Sequence, residues 1–348
     1  MAVYRDIRDV KSEQTVVTVG SFDGVHCGHR LLLQRVVGLA EQHRIRSVAL
    51  TFFPHPRQIL DPDSATPLLL HTPDEKIALL EQTGVDDIVI LPFDRALSQM
   101  SACDFIRELI IGKMNARYLV MGQDHHFGKN RGGDVQHLQE LVAQSDLQVE
   151  IVDLKMLDRK ISSSAIREAL LCGDLNLANE MLGYEYIISG KVIHGNQLGR
   201  TIGFPTANIE TPDFKVLPKK GVYRVKVNTE INHQKSNVKY REYEHLGMMY
   251  IGNRPVLKQK DAKLSAEVHI FNFDQQIYGQ EITVALTHRI RDDIRFENFT
   301  QLTEQLHCDK QKILNVYFDI STIDLSRWVI DGKSVSKPDT NCPKTDSF

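Results

Sequence analysis

Two segments that lie far apart on the chain combine residue types suited to handling phosphate. The first runs Gly20-Ser21-Phe22-Asp23-Gly24-Val25-His26-Cys27-Gly28-His29, and the second runs Gly199-Arg200-Thr201-Ile202-Gly203-Phe204-Pro205-Thr206-Ala207-Asn208. Imidazoles donate hydrogen bonds to phosphoryl oxygens, glycines let the backbone approach a ligand, and threonine and asparagine offer oxygen ligands to a cation. Because the two chemistries differ and the spacing is large, the sequence predicts two ATP-using sites in series.

The first segment stands where a helix is expected to begin. The apolar run Thr15–Gly20 before it predicts a buried strand, and the pattern over Leu31–Val37 after it predicts an amphipathic helix. Helix N-termini attract phosphate through unpaired N–H groups and the positive end of the helix dipole. His26 and His29 are therefore candidate phosphate-stabilising donors, and Gly28 gives the backbone room. Without this context, a pair of histidines is usually structural.

A further stretch fits the same site. Lys160-Ile161-Ser162-Ser163-Ser164-Ala165-Ile166-Arg167 places hydroxyl groups at another predicted helix start, with cations on both sides. A serine there is, on its own, an ordinary N-cap. Together with the first segment, the stretch becomes a candidate clamp for a triphosphate.

The second phosphate segment indicates a metal-assisted reaction. Thr206 and Asn208 alternate in an extended run, so their side chains face the same way. Two neutral oxygen ligands on one side suit Mg²⁺, which takes its other ligands from water and phosphate. The segment is neither a Walker loop nor the glycine loop of protein kinases. Further along, the alternation around Glu267 predicts a strand and, by itself, favours a solvent-facing glutamate.

The elements that must position these residues change character near Tyr184. Before it, apolar runs alternate with helical patterns, which predicts a mostly parallel sheet covered on both faces. This half also contains a capping box at Thr72–Glu75 and one predicted helix over about 165–181, stopped by Gly183. After Tyr184, short β-rich runs punctuated by Gly, Pro and Asn predict a small antiparallel β-barrel.

The change divides the chain into residues 1–183, 184–320 and 321–348. A final helix is predicted from Phe299 to about Asn315, inside the second part. The third part ends in a polar, proline-broken run that predicts a disordered tail.

The composition excludes several classes of protein. Charged residues make up 25% and hydrophobic residues 42% of the 348, as in globular domains. Residues 1–183 hold 19 basic and 25 acidic side chains and the remainder hold 23 and 20, so neither half carries the basic stripe of a nucleic-acid-binding protein. No apolar stretch approaches the roughly 20 residues that span a bilayer, and the five cysteines form no CxxC pair. We expect a cytoplasmic protein with no nucleic-acid or membrane partner; its oligomeric state is left open.

The N-terminal motifs and their order resemble the prokaryotic bifunctional riboflavin kinase/FAD synthetases. The matching pieces are Gly20–His29, Thr51–Pro56, Pro92–Asp94, Met121–Gly128 and Ile161–Arg167. The resemblance implies a Rossmann-like domain of the HxGH nucleotidyltransferase type, which moves AMP from ATP onto FMN and releases pyrophosphate. It implies catalysis by His26 and His29, places Asp124 near the phosphates or the flavin, and assigns Asp124 and Phe127 to flavin binding. It assigns to ATP and its phosphates the residues Gly20, Phe22, Asp23, Gly28, Ser163 and Arg167.

The C-terminal motifs resemble the riboflavin kinase half of the same family. The pieces are His194–Asn208, Gly221–Tyr223, Tyr250–Pro255, Ala266–Phe271, Tyr278–Gly279 and Ile290–Asp292. The resemblance implies a barrel that phosphorylates riboflavin with ATP and Mg²⁺, with Glu267 as general base on the ribityl hydroxyl. A primary alcohol attacking a γ-phosphate needs alignment, charge neutralisation and a proton acceptor, which a metal ion and a carboxylate supply. The implied contacts are Thr206 and Asn208 to the metal, Gly203 and Asn253 to ATP, and Arg291 to the flavin.

Two other hypotheses compete with this one. The first is an adenylyltransferase for another phosphorylated metabolite, such as pantetheine phosphate, but that reaction needs no appended kinase barrel. The second is a flavin-binding regulator without turnover, against which the intact set of candidate catalytic and metal-binding residues argues. Among the remaining polar residues, His71 is expected to be exposed and Asp86-Asp87 to be a solvated entry to a strand.

Overall fold

The computed structural model describes most of the chain. The described residues are 1–10, 13–60, 68–123, 145–153, 161–195, 198–229, 244–253 and 264–315. The candidate flavin residues Asp124 and Phe127 and the C-terminal segment 321–348 lie outside these ranges. Among the described residues, none of the helices is both long enough and apolar enough to span a membrane.

A six-stranded parallel sheet forms the N-terminal half, as the alternating pattern predicted. Its spatial order is β1-β4-β3-β2-β5-β6. The central strands are continuous apolar runs because both of their faces are buried. The strands are β1 (Ala2–Tyr4), β2 (Thr15–Val19), β3 (Arg46–Phe52), β4 (Asp87–Leu91), β5 (Ala116–Gly122) and β6 (Gln148–Val152).

Helices cover the two faces of this sheet. Helices α1 (Cys27–His43) and α3 (Pro73–Glu81) contribute to the core on one face. On the other face lies α5 (Ala102–Asp104), which continues as a π-helix over Phe105–Lys113. The remaining short elements of this half are a 3₁₀ turn (Ile7–Asp9), α2 (Pro56–Leu60) and α4 (Arg95–Gln99).

The single helix predicted over about 165–181 is wrong, because the chain breaks it into two. Helix α6 (Ser163–Cys172) ends at Gly173, whose φ of 87° is left-handed, and α7 (Leu175–Leu182) starts after Asp174. The Asp174 carboxylate accepts the Leu177 N–H at 3.0 Å and so caps the second helix. The apolar spacing continues across the break and hides it. Gly183 ends α7, as predicted.

The C-terminal half is a closed antiparallel barrel of six strands followed by a helix, which confirms the predicted architecture. The strand order is β10-β11-β8-β7-β12-β9. The strands are β7 (Tyr186–Ile193), β8 (Ala207–Ile209), β9 (Gly221–Thr229), β10 (His245–Asn253), β11 (Leu264–Ile270) and β12 (Glu281–Asp292). Two helices complete this half, α8 (Leu198–Thr201) and α9 (Phe299–Asn315).

The two halves share a buried junction. The largest hydrophobic cluster joins α6 and α7 to residues inside the barrel. Beside it, the Lys215 ammonium lies 2.6 Å from a Glu75 carboxylate oxygen, and these side chains are 0% and 2% exposed. The other Glu75 oxygen accepts the Ser189 N–H at 2.7 Å, while Lys215 also donates to the carbonyls of Leu70 and Ile187. A charged pair from the first half and the barrel is therefore enclosed and fully hydrogen-bonded.

Two polar residues expected at the surface are buried. The ring of His71 lies at this junction, 5.6 Å from that of Tyr186, and burial lowers its pKa. Asp87 is also buried, and its carboxylate binds the Arg46 guanidinium at 2.6 and 2.7 Å. Both expectations were wrong because the partners are remote in sequence.

The junction predicts the effect of breaking its charged pair. Lys215→Met should destabilise the protein by about 3–5 kcal/mol, because Glu75 would stay buried without its cation. Urea unfolding followed by circular dichroism measures the change. Lys226→Met is the control: it removes a pair with Glu185 that is 28% and 25% exposed, and about 0–1 kcal/mol is expected. Equal losses in the two variants would contradict the role of the junction.

Candidate active sites

The first candidate site begins at a strained turn between β2 and α1, at the carboxyl end of the parallel sheet, where ligands bind in open α/β folds. Phe22 and Val25 have φ values of 46° and 36°, and Gly24 has 93°. A left-handed conformation is unusual for a β-branched residue and costs about 1–3 kcal/mol. Other parts of the protein must therefore hold this turn in place.

Every carbonyl oxygen of the turn from Ser21 to Val25 accepts a hydrogen bond. One donor belongs to the turn itself, and the others come from five elements or segments around it. They are Thr51 Oγ1 (3.2 Å) and Lys76 Nζ (3.3 Å) on Ser21, Val25 N (3.2 Å) on Phe22, Ser163 Oγ (2.7 Å) on Asp23, the Tyr184 hydroxyl on Gly24, and Arg30 Nε (3.2 Å) on Val25. The conformation of the turn is thus set by tertiary contacts.

The two candidate catalytic histidines lie face to face at the start of α1. Their ring centroids are 3.6 Å apart with an interplanar angle of 14°. His26 is the N-cap, and its Nδ1 accepts the His29 N–H at 3.4 Å. Burial lowers the pKa of His26 to about 4, so the ring is neutral at pH 7. Since Nδ1 accepts, the proton lies on Nε2, which leaves one N–H donor.

Phe22 and Gly20 support this pair. The buried Phe22 ring meets His29 edge to face, with centroids 5.3 Å apart. A Cβ on Gly20 would lie 3.1 Å from that ring. Phe22, predicted to be an ATP contact, packs under His29 and can act through it. Burial raises the pKa of Cys27 beside them, which favours the protonated thiol.

The structure brings the predicted triphosphate clamp to the same turn. Arg167 Nη2 lies 3.0 Å from a carboxylate oxygen of Asp23, whose other oxygen accepts the Leu70 N–H at 2.9 Å. Ser162 is the N-cap of α6, accepting from Ala165 at 3.2 Å. Ser163 and Arg167 therefore meet the His26–His29 turn, although about 140 residues separate them along the chain. Asp23, which the resemblance assigns to ATP, binds the Arg167 guanidinium and so orients that side chain.

The second candidate site lies on two barrel strands. Asn208 on β8 stands opposite Glu267 on β11, and the Thr206 hydroxyl lies 3.5 Å from Glu267 Oε2. A Cβ on Gly195 would lie 2.2 Å from Asn208 Nδ2, so any side chain there would displace the Asn208 amide. Glu267 is half-buried, not solvent-facing as its alternation alone favoured. The three oxygen-bearing side chains form one group.

An open cleft of about 360 Å³ adjoins Thr206. Arg200, Asp274 and Tyr278 are among its lining residues, and the His194 ring stacks on Tyr278 with centroids 3.9 Å apart. Gly203, at the end of the loop before Thr206, has a φ of 80°. Asn253 is an exposed residue at the end of β10. The cleft is large enough for part of a nucleotide.

The donor set of this site fits Mg²⁺. Thr206, Asn208 and Glu267 offer only oxygen and amide groups, which a hard cation prefers. In the described ranges, no cluster of three or more His, Cys, Asp or Glu residues could hold a metal ion. An ion held by one or two protein oxygens takes the rest of its ligands from water and phosphate, and this arrangement allows that.

Arg291 is held by the terminal helix. Its Nε lies 2.8 Å from a carboxylate oxygen of the fully buried Asp309, which links β12 to α9. Gln305 donates to the other oxygen of the same carboxylate at 2.8 Å. The predicted flavin residue therefore also fixes α9 against the barrel.

Both sites also contain residues that the sequence patterns did not reveal. Tyr184 and Lys76 hold the first turn. In the second site, His269 Nδ1 lies 2.8 Å from the Pro205 carbonyl, beside Thr206. One signal was present: Lys76 precedes the buried Leu79 and Leu80 by three and four residues, so it lies on the apolar face of α3. A lysine on the apolar face of a helix is expected to be buried, and a buried charge indicates a specific role.

The matches to known protein families extend over nearly the whole chain. The FAD synthetase family model matches residues 9–165, and the riboflavin kinase family model matches residues 182–317. Curated proteins named bifunctional riboflavin kinase/FMN adenylyltransferase are 35% identical in Bacillus subtilis and 39% identical in Haemophilus influenzae. These alignments cover 89% and 84% of this chain, and 96% and 91% of the respective relatives.

A solved structure is similar over both halves. It is a crystal structure of a protein named macrolide-efflux protein from Streptococcus pneumoniae, with a TM-score of 0.77 and 31% identity. The match covers 90% of this chain and 98% of that one. The similarity therefore extends over the parallel sheet and the barrel together.

The geometry of His26 predicts its protonation state. We expect the neutral ring with the proton on Nε2 at pH 7, and a titration midpoint of about 4, because the ring is buried and Nδ1 accepts a hydrogen bond. Nitrogen NMR of the labelled imidazole measures both. The exposed His43 at the other end of α1 is the reference. A midpoint near 6.5, or a proton on Nδ1, would contradict the geometry.

Proposed function

The chain belongs to the family of bifunctional riboflavin kinase/FMN adenylyltransferases, and we propose from this premise that it makes FMN and then FAD at two separate sites. The barrel phosphorylates riboflavin, and the edge of the parallel sheet adenylylates FMN. The observation that carries the proposal is the presence of both residue groups on one chain, each assembled on its own fold. Both reactions consume ATP.

In the adenylyl transfer, a phosphate oxygen of FMN attacks the α-phosphorus of ATP and pyrophosphate leaves. The Nε2–H of His26 donates to a phosphoryl oxygen, and His29 acts beside it. Donors fixed before the reaction stabilise the charge that develops in the transition state without reorganisation. Ser163 and Arg167 hold the β- and γ-phosphates, with Arg167 oriented by Asp23. Gly20 makes room for the Phe22 ring that packs under His29, and Gly28 is proposed to let the backbone approach the nucleotide.

In the kinase reaction, the ribityl 5′-hydroxyl attacks the γ-phosphorus of ATP. Glu267 accepts the proton of that hydroxyl. Thr206 and Asn208 would hold Mg²⁺, which neutralises phosphate charge when bound. The cleft beside Thr206 is the proposed binding place of ATP. The resemblance adds contacts from Gly203 and Asn253 to ATP and from Arg291 to the flavin.

Some assignments rest on the resemblance alone. Asp124 and Phe127 are proposed to contact the flavin of FMN, and they lie outside the described residues. The cytoplasm is the proposed location, since the sequence has an odd number of cysteines and no CxxC motif. Riboflavin, FMN and ATP are the proposed small-molecule partners.

A substitution in the first site should separate the two activities. His29→Ala should lower the rate of FAD formation from FMN and ATP about 10²–10³-fold, because a phosphate donor is lost. FMN formation from riboflavin should stay within about twofold, since the barrel keeps all its groups. Chromatography of the flavins with Mg²⁺ and ATP measures both products.

The reciprocal substitution is Glu267→Gln in the second site. We expect FMN formation to fall about 10²–10⁴-fold, because the general base is removed while the shape is kept. Added FMN should still be converted to FAD at the wild-type rate. If either variant lost both activities equally, the assignment to two sites would fail. Flavin binding by the wild type without any ATP-dependent product would instead favour a non-catalytic regulator.

A further inference from the structure

Helix α3 carries a buried lysine next to the junction glutamate. Lys76 is 8% exposed, and its ammonium donates to three oxygens: Ser21 O at 3.3 Å, Thr51 Oγ1 at 3.0 Å and Phe52 O at 3.1 Å. The Thr51 hydroxyl in turn donates to Ser21 O at 3.2 Å. One cation therefore ties the turn after β2 to the carboxyl end of β3.

The charge of Lys76 is balanced differently from that of the other buried lysine. Lys215 has the carboxylate of Glu75 at 2.6 Å, whereas Lys76 donates only to neutral oxygens and has no carboxylate within 4.0 Å in the described part of the chain. Asp23 offsets part of this charge from a distance, but its carboxylate binds Arg167, and a cation buried without a carboxylate of its own is costly. A polyanion bound in front of the turn would supply further negative charge.

We propose that Lys76 is a positioning residue of the adenylyl-transfer site, which fixes the phosphate-binding turn and is charge-balanced by the polyphosphate of bound ATP. The inference rests on the proposed function of that site. Ser21 is two residues from Asp23, which orients Arg167, so a displaced turn would move both the histidines and the clamp. Lys76 acts through the turn and does not itself touch the reacting phosphorus.

The test compares both activities of the full chain. Lys76→Met should raise the KM for ATP in FAD formation about tenfold to a hundredfold, since a hydrogen-bonded charge is lost. The KM for ATP in FMN formation should stay within about twofold. Lys113→Met, which removes an exposed lysine of the same domain, is the matched control and should change neither value.

The pH profile gives an independent measurement. Burial lowers the pKa of Lys76 to about 8, with Asp23 opposing the shift. The lysine is charged below that pH, so the KM for ATP in wild-type FAD formation should rise between pH 7 and 9, and Lys76→Met should lack this step. The titratable groups that interact electrostatically with the ammonium are Asp23, His55 and His71, and Arg167 is bound to Asp23. Burial lowers the pKa of both imidazoles, away from this window.

Thr51→Val keeps the shape and removes one oxygen partner of the ammonium, so it serves if Lys76→Met does not fold. It should raise the same KM severalfold. An unchanged KM in these variants, or a parallel fall of both activities together with a lower unfolding midpoint, would overturn the proposal. A wild type that makes no FAD from FMN and ATP would refute the proposed function itself, which is a separate outcome.

Discussion

The buried pair of Glu75 and Lys215 is the interaction on which the arrangement of the two halves depends. Two charges in a medium of low polarity are stable only while both are present and their hydrogen bonds are satisfied. Here one carboxylate oxygen bonds Lys215 and the Thr72 N–H, and the other bonds the Ser189 N–H. Such a group accepts one geometry, so it fixes the first turn of α3 against the barrel. The nucleotide turn depends on the same helix, because Lys76 is the next residue.

At both candidate sites, the backbone conformation depends on contacts from other parts of the chain. The turn before α1 contains a left-handed valine, and in the barrel half a side chain at Gly195 would displace the Asn208 amide. In each case the restraint comes from side chains remote in sequence, such as Tyr184 for the turn and His269 for the barrel segment before Thr206. Rigidity at these points is what electrostatic catalysis requires, because the donors must stand in place before charge develops.

The sequence predicted what depends on local pattern. The apolar runs of β2 to β5, the capping box of α3 and helix α9 follow from neighbouring residues, and the order of the motifs was enough to indicate both reactions. The break between α6 and α7 was missed because the apolar spacing continues through Gly173. His71, Asp87 and the second role of Glu75 could not be predicted, since their environment comes from partners far along the chain. Glu75 is an example: the local sequence Thr72–Glu75 predicts its role in the capping box, whereas its pairing with Lys215, 140 residues away, depends on the fold.

The location of Glu75 has a consequence for how this protein can be recombined. A hybrid that takes the sheet half from one relative and the barrel from another, joined at the division predicted after Gly183, would separate α7 from strands with which it shares a hydrophobic cluster. In such a hybrid, Glu75 would come from one relative and its buried partner Lys215 from the other. Exchange of whole halves is therefore compatible with folding only when the opening turn of α3, helices α6 and α7 and the segment around Lys215 are inherited as one unit.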